Sequence, residues 1–354
     1  MHISNRPIGI AHPVYVIAEI GVNHDGCPER ALELTRLAAA SGADAVKFQL
    51  FEADRLMSRS AKLAAYQKAA GETDPIEMLR RLELTIEQMA PCVMLAHERG
   101  IHAIVSVFSV ELVEVAERLP WDAYKTASPD IVNKPLLDAL AATGKPLIVS
   151  TGASTLDEVK RCVGWLRPMH ERLALLQCVS SYPTPIEFAA YSGITALRAA
   201  YSGPVGYSDH VDSEESGGHA VTFGAEILEK HFTYSRRAHG PDHGASLEPA
   251  RFLHYRQLAD LAHASREETA SRVQHSSVKE VLHIEQDVRT VSRQSLTTTR
   301  NLHAGQTLTR ADLTIKRPGS GIPPYELDDT LTRTLARYVP ADTPLTPDDL
   351  VLSP

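Results

Sequence analysis

His210 and His231 each stand where a short apolar run gives way to polar residues, in Gly206-Tyr-Ser-Asp-His210 and in Glu229-Lys-His-Phe-Thr233. Neutral imidazole suits a divalent first-row metal, with carboxylate, water or substrate oxygens filling the remaining positions. The same pair could serve only as hydrogen-bonding groups, and spacing alone does not choose between the two roles. Lys47 and Gln49 flank Phe48, so the period-two geometry of a strand sends both to one side. Together with Lys125 they belong to a ring of polar residues that includes Ser106, Ser128, Ser150, Ser180 and Ser208. Lysines give point charges to phosphate and hydroxyls add directional hydrogen bonds, so this set suits a phosphorylated carboxylate. Buried ion pairs with Glu or Asp are the alternative reading of Lys47 and Lys125. Glu19, Asp130, Glu229 and Asp242 supply carboxylates to the ring, and Glu19 could equally be an acceptor for loop amides. Phe108 reads as a wall, Tyr182 as either a ligand contact or packing under a loop, and Cys178 as a small apolar residue. His24, His239 and His243 rank below the chosen pair as ligands or bases.

The elements that must position these residues are eight strand-like runs: Tyr15 to Glu19, Ala45 to Leu50, His102 to Ser106, Ala123 to Lys125, Pro146 to Ser150, Leu173 to Cys178, Val205 to Ser208 and Glu226 to His231. Helical stretches lie between them, as in Pro28 to Ala40, Ile86 to Arg99, Thr155 to Leu166 and Ser213 to Phe223. Gly42, Gly100 and Gly144 follow helical stretches, where a left-handed cap is wanted. Eight strand-helix repeats before residue 265 predict a (β/α)8 barrel, and no GxGxxG fingerprint supports a doubly wound sheet instead. The polar residues then cluster at the carboxyl ends of the strands, where parallel α/β folds hold their active sites. Residues 53 to 84, with Asp54, Arg55, Tyr66, Gln67, Gly71 and Glu72, exceed an ordinary βα loop and read as a lid. The expected organisation is a barrel over 1–265, a linker over 266–285 and a small β-rich domain over 286–354.

Composition sets the outer limits. With 43% hydrophobic and 23% charged residues, the 354-residue chain can bury a full core. The N-terminus has no basic stretch followed by an apolar core, and no apolar run nears the roughly 18 residues that span a bilayer, so a cytoplasmic location is expected, without a membrane partner. A net charge of -8 argues against nucleic acid as a partner. Cys27, Cys92, Cys162 and Cys178 are dispersed without CxxC spacing, which argues against a disulfide framework or a thiolate zinc site.

Read in order, Ala18-Glu-Ile-Gly-Val-Asn-His-Asp-Gly26, Gly42-Ala-Asp-Ala-Val-Lys-Phe-Gln49, Tyr124-Lys-Thr-Ala-Ser128, Ser150-Thr-Gly152, Ser181-Tyr-Pro-Thr-Pro185, Gly206-Tyr-Ser-Asp-His210, Glu229-Lys-His-Phe-Thr233 and Gly240-Pro-Asp-His243 resemble the sialic acid synthase family. Arg293-Gln-Ser-Leu296, His303-Ala-Gly305, Asp312-Leu313 and Lys316-Arg-Pro-Gly319 resemble the antifreeze-like (SAF) domain that follows the barrel in those enzymes. The resemblance implies condensation of phosphoenolpyruvate with an N-acylated amino sugar, N-acetylmannosamine or a diacetamido-dideoxy hexose, to a nine-carbon 2-keto acid and phosphate. It implies a divalent ion, manganese first with magnesium or cobalt as substitutes, on His210 and His231. Lys47, Lys125, Ser106, Ser128, Ser150, Ser180 and Ser208 would bind phosphoenolpyruvate, and Gln49, Phe108, Tyr182 and Asp242 would face the sugar. Glu19 and Asp130 would stabilise the cation at carbon 2 or guide the incoming water. In the family the small domain reaches across a two-fold dimer, which would carry Arg317 into the partner's sugar pocket; pairing of Arg317 with an acidic residue of its own domain is the local alternative. Val107 and Pro129 depart from the usual Ser-Thr-Pro-Phe and Ser-Gly-Asp or Ser-Gly-Glu patterns, and Ser180 stands where some members carry asparagine.

Overall fold

Inward-facing positions change character along each barrel strand, and that change builds the molecule. In the computed structural model, which describes residues 1–265 and 277–351, eight parallel strands close into a barrel: β3 (Tyr15–Glu19), β4 (Ala45–Leu50), β5 (His102–Val107), β6 (Ala123–Thr126), β7 (Leu147–Ser150), β8 (Leu173–Cys178), β9 (Val205–Asp209) and β10 (Ile227–His231). The ring is sealed by β10 pairing with β3, Ile227 opposite Tyr15 and His231 opposite Glu19. Near the amino ends the interior is apolar, filled by Ile17, Ala45, Ile104, Ala123, Ile148 and Ile227. Two residues further along the same strands stand Glu19, Lys47, Ser106, Lys125, Ser150 and Glu229. Period-two geometry puts them on the same inner side. One end of the barrel is thus a hydrophobic plug and the other a polar chamber.

The observed strands start and end within a residue or two of the sequence expectation. A short N-terminal hairpin, β1 (His2–Ile3) with β2 (Arg6–Pro7), was not anticipated; it sends Ile3 and Ile8 into the plug. Two-residue strands carry too little alternation to be read. The expected helices are present with trimmed ends: Pro28–Ala40 has proline in its first turn, while Ile86–Glu98 and Leu156–Trp165 are capped by Thr85 and Thr155 in reciprocal boxes with Gln88 and Glu158. Gly100 takes φ 75° directly after Ile86–Glu98 and Arg99, closing that helix in the left-handed region. The outward faces of the strands and the inward faces of the helices share the main core, with Phe48, Tyr124, Tyr207 and Phe252 fully buried.

Residues 53–82 fold over the polar end as three short helices, Ala53–Leu56, Ala65–Ala69 and Pro75–Arg80. They are held by a separate apolar cluster of Leu56, Met57, Leu63, Met78, Leu79 and Leu82 with Val22, Phe51 and Phe108 of the barrel. The small domain pairs β11 (Ser295–Thr298) antiparallel to β12 (Leu313–Lys316) around Leu296, Leu302, Leu308, Leu335 and Leu345. It sits on the lid of its own chain: Arg317 N donates to Leu56 O at 2.8 Å, and Ser58 N donates to Arg317 O at 3.0 Å. Of the expected linker, residues 266–276 lie outside the described residues; the remainder ends in a turn at His283–Glu285, and helix Gln286–Ser292 follows.

Candidate active site

A single cavity at the carboxyl ends of the strands, roofed by the lid, collects most of the residues singled out above. Lys47, Gln49, Ser106, Phe108, Lys125, Ser128, Ser150, Ser180, Tyr182, Ser208, His210, His231, Asp242 and Arg317 all line it. Glu19 and Asp130 do not; they lie just behind the wall, 1% and 2% exposed. Glu229, whose inward position was legible but to which no role was given, does line it. Tyr66 enters from the lid and packs on Tyr182 with ring centroids 4.8 Å apart.

The floor is an alternating ladder of charge. Lys47 pairs with Glu19, donates to Ser106 Oγ at 3.2 Å and stands 3.9 Å from Glu229 Oε2. Lys125 Nζ donates to Ser150 Oγ at 2.6 Å and to Thr126 O at 3.0 Å, and lies 3.5 Å from Glu229 Oε1. Ser208 Oγ donates to Glu229 Oε1 at 2.9 Å. The lysines are therefore ion-paired and cavity-lining at once. Burial works against the Glu229 anion, but Lys125 and Lys47 outweigh it and hold the carboxyl low, at about 2. For Glu19 burial wins over Lys47 and the carboxyl rises to about 7. Asp130 is likewise lifted by burial to about 7, with Arg317 and a bond from Asn133 pulling the other way. Asp242 rises to about 6 for the same reason. Each carboxyl is desolvated; Glu229, facing two lysines, stays charged, whereas Glu19 has Lys47 alone and is repelled by Glu229.

Beside the lysines, Gly152 lets three loops converge. Its amide donates to Ser128 Oγ at 3.0 Å, and a Cβ there would stand 2.3 Å from Ser180 Oγ. Ser128, Ser150 and Ser180 thus form a hydroxyl cradle next to the Lys125 ammonium. Pro129 opens the turn Ser128–Val132, so the departure from the family pattern falls on this cradle, whereas Val107 ends β5 with its side chain in the outer core.

The two histidines face the cavity with ring centroids 5.5 Å apart. The Nδ1–H of His210 donates to Val179 O at 2.8 Å, which leaves Nε2 with its lone pair. Burial, reinforced by His210 and Lys47, holds His231 far below its usual pKa and hence neutral; its buried Nδ1 has no hydrogen-bond partner among the described residues. Asp242 Oδ2 is 3.7 Å from that nitrogen. Burial lowers the pKa of His210, but Cys178 and the Val179 carbonyl outweigh it and raise it; with His210 deprotonated, the two imidazoles would offer lone pairs to a first-row ion completed by water or substrate. Among the described residues no group of three or more His, Cys, Asp or Glu is assembled as a metal cage. Tyr182 covers His210 at a ring separation of 4.0 Å, and Cys178 Sγ lies 3.7 Å from His210 Nδ1. His24 and His243 are outside the cavity lining; His243 bonds Asp25 Oδ1 at 2.8 Å and Thr233 Oγ1 at 2.7 Å, bracing the loop that carries Asp242.

On the mouth side the cavity turns apolar, with Val22, Phe51, Leu56, Met78, Leu79 and Leu82 in its wall. Arg317 comes in over the Phe108 ring at 5.9 Å, its buried Nε without a partner among the described residues. Asp130 Oδ2 is also buried and unpartnered, and Arg317 bears electrostatically on Asp130 without forming an ion pair. Facing polar groups left open in this way are what a bound polar ligand would satisfy.

Comparisons with known proteins agree along the whole chain. Residues 34–270 match the model of the NeuB family and residues 293–351 that of the SAF domain. The N,N'-diacetyllegionaminic acid synthase of Legionella pneumophila is 35% identical over 96% of the chain and 95% of its own length. The N-acetylneuraminate-9-phosphate synthase of Mus musculus is 32% identical over 91% of the chain and 88% of its own. Among solved structures, the spore coat polysaccharide biosynthesis protein spsE of Bacillus subtilis superimposes with a TM-score of 0.86 at 28% identity, covering 100% of this chain and 99% of that one. No helix among the described residues is long and apolar enough to cross a membrane.

Proposed function

The chain belongs to the NeuB family of synthases, and we propose that it condenses phosphoenolpyruvate with an N-acetylated amino sugar to a nine-carbon 2-keto acid and inorganic phosphate. The observation that carries the reading is the meeting of two buried lysines, a serine cradle and two neutral-capable imidazoles in one cavity. Lys47 and Lys125 neutralise the phosphate and carboxylate of phosphoenolpyruvate, and Ser106, Ser128, Ser150, Ser180 and Ser208 orient it by hydrogen bonds. Carbon 3 forms the new bond to the acceptor's aldehyde carbon, whose oxygen takes up a proton. Water adds at carbon 2, a carboxylate accepts the proton that the water gives up, and phosphate leaves by carbon-oxygen cleavage. Glu229, held ionised by the two lysines, would supply fixed negative charge to the cation that develops at carbon 2. Asp130 and Glu19, both lifted towards neutrality but set behind the wall, would receive the water's proton through a bridging water or a lining group. His210 and His231 would hold a divalent ion, manganese first, which when bound supplies Lewis-acid polarisation of the aldehyde oxygen. Gln49, Tyr182, Asp242 and Arg317 orient the sugar against the Phe108 wall.

One observation favours a diacetamido-dideoxy hexose over N-acetylmannosamine as acceptor, and a second argues against a 6-phosphate. The lid side of the cavity is apolar, suiting methyl groups, and Arg317 is the one cation lining the cavity besides the lysines and histidines among the described residues. A hexose 6-phosphate would meet hydrocarbon there rather than charge. The relative from Legionella pneumophila carries the corresponding name. The test is the initial rate of phosphate release from phosphoenolpyruvate with manganese over N-acetylmannosamine, its 6-phosphate and the diacetamido hexoses, with a chelator control. Chelator-sensitive release fastest with a diacetamido hexose is expected; equal or faster release with N-acetylmannosamine or its 6-phosphate would refute the acceptor assignment.

A further inference from the structure

The segment that leads into the small domain makes a dense set of contacts that the chemistry above leaves unused. Glu285 is 1% exposed. Its Oε1 accepts from Ala153 N at 2.6 Å and from Ser180 N at 2.8 Å, and its Oε2 accepts from Leu282 N at 2.9 Å. Ala153 and Ser180 lie in the loops that follow β7 and β8. Ala153 sits at φ 48°, a left-handed conformation that disfavours any residue with a Cβ and persists only when its surroundings hold it. Here they do: Glu285 holds its amide, and Arg289 and Arg293 donate to its carbonyl. The same two arginines pair with Glu158 on the barrel, Arg289 at 2.9 Å and Arg293 at 2.5 Å. Two residues before Ala153, the Thr151 carbonyl accepts from Lys279 Nζ at 2.6 Å.

The residue between these anchors is Gly152, whose backbone positions Ser128 and touches Ser180. Residues 279–293 thus act as a strap that fixes, from outside the cavity, the backbone on which the serine cradle depends. The strap continues directly into Gln294, which accepts from Asn133 Nδ2 at 2.6 Å and donates to Phe108 O at 3.4 Å, and then into the domain that carries Arg317.

We infer that Glu285 is a positioning residue for the phosphate end of phosphoenolpyruvate, and that through it the seating of the small domain and the formation of the serine cradle are one event. The inference rests on the reading of this cavity as a phosphoenolpyruvate site. A carboxylate that gathers amides from two loops is the kind of partner whose removal loosens both together. The chain would bind phosphoenolpyruvate well only with the strap docked, so that the acceptor arginine and the phosphate cradle are ready at the same time.

Two variants of the full chain test this, Glu285→Ala and Glu285→Gln, with phosphoenolpyruvate affinity measured by calorimetry without acceptor and KM for both substrates in the full reaction. Glu285→Ala should weaken phosphoenolpyruvate binding roughly 10- to 100-fold, because two buried amides lose a charged acceptor, and should raise the acceptor KM as well, by less, because the domain that carries Arg317 seats less firmly. Glu285→Gln keeps one carbonyl oxygen for both amides and should fall between Glu285→Ala and the parent. If Glu285→Ala does not fold, Arg289→Gln removes one bond to the Ala153 carbonyl and should shift phosphoenolpyruvate affinity in the same direction by less. Unchanged phosphoenolpyruvate affinity, or a loss confined to kcat or to the acceptor KM, overturns the inference. A parent chain that itself fails to bind phosphoenolpyruvate overturns the functional reading, a result distinct from either.

Discussion

Replacing Gly152 by alanine should separate the phosphate cradle from the stability of the fold. The added Cβ would stand 2.3 Å from Ser180 Oγ, 2.8 Å from Ser128 Oγ and 3.0 Å from Cys178 Sγ. Carbon and oxygen need roughly 3.3 Å or more, so the two hydroxyls must move by up to about 1 Å. A serine can do so by turning to another staggered χ1 well, at a cost of about 1 kcal/mol, and Gly152 has no positive φ to forbid a side chain. The same rotation aims both hydroxyls out of the cradle and breaks the bond from Gly152 N to Ser128 Oγ. If each hydroxyl contributes about 1.5–3 kcal/mol to holding a phosphate, as hydrogen bonds to charged groups do, the loss is about 3–6 kcal/mol. At about 1.4 kcal/mol per decade this is a roughly 100- to 10,000-fold weaker phosphoenolpyruvate interaction. Steady-state kinetics at saturating acceptor, calorimetry with phosphoenolpyruvate and a thermal melt read the three quantities apart. The expected result is a phosphoenolpyruvate KM raised about 100-fold or more, a melting temperature lowered by only about 2–4 °C and an unchanged acceptor KM. A phosphoenolpyruvate KM within about three-fold of the parent would refute the placement of the phosphate.

Three further outcomes follow from the same geometry. Arg317→Ala should raise the acceptor KM roughly 10- to 100-fold with the phosphoenolpyruvate KM within about three-fold, and Arg317→Lys should recover part of it; steady-state kinetics decides. Burial lifts Asp130 to about 7, above its unfolded value near 3.9, so its contribution to stability is present at low pH and is lost as pH rises towards 7. Asp130→Asn should therefore raise the melting temperature at pH 8 by about 2 °C or more over any change at pH 4, while removing the acid limb of the kcat profile near pH 7. Lys230 is fully buried on the outer side of β10, 3.2 Å from Asp209, and the two alternate in sequence with His231 and His210. Lys230→Met leaves Asp209 buried without its cation and should cost about 3–5 kcal/mol in chemical denaturation. It should also weaken manganese binding measured by calorimetry.

Much of the site was legible because the barrel repeats a simple rule. On strand after strand an inward apolar residue is followed two positions later by an inward polar one, as in Ile17 and Glu19, Ile104 and Ser106, or Ile227 and Glu229. Depth was not legible: alternation places Glu19 on the inside of β3 but does not say that Lys47 and Gln49 cover it. Tyr66 lies in a five-residue helix too short to show a period, so its contact with Tyr182 had no signal beyond membership of a long loop. Glu285 was hidden for another reason. It falls in a polar stretch that reads as linker, and its partners are backbone amides more than a hundred residues away, which no side-chain pattern announces.

The central claim is that one cavity joins phosphoenolpyruvate to a sugar through a carbon-carbon bond, and the stoichiometry of a completed reaction tests it most directly. Phosphoenolpyruvate, manganese and the diacetamido hexose are incubated with the chain, and phosphate, pyruvate and sugar products are quantified by mass spectrometry. The account predicts one phosphate and one nine-carbon 2-keto acid for each phosphoenolpyruvate consumed, with no pyruvate. Pyruvate in equal amount to phosphate, or a phosphorylated hexose, would contradict it by showing hydrolysis or phosphoryl transfer in place of condensation.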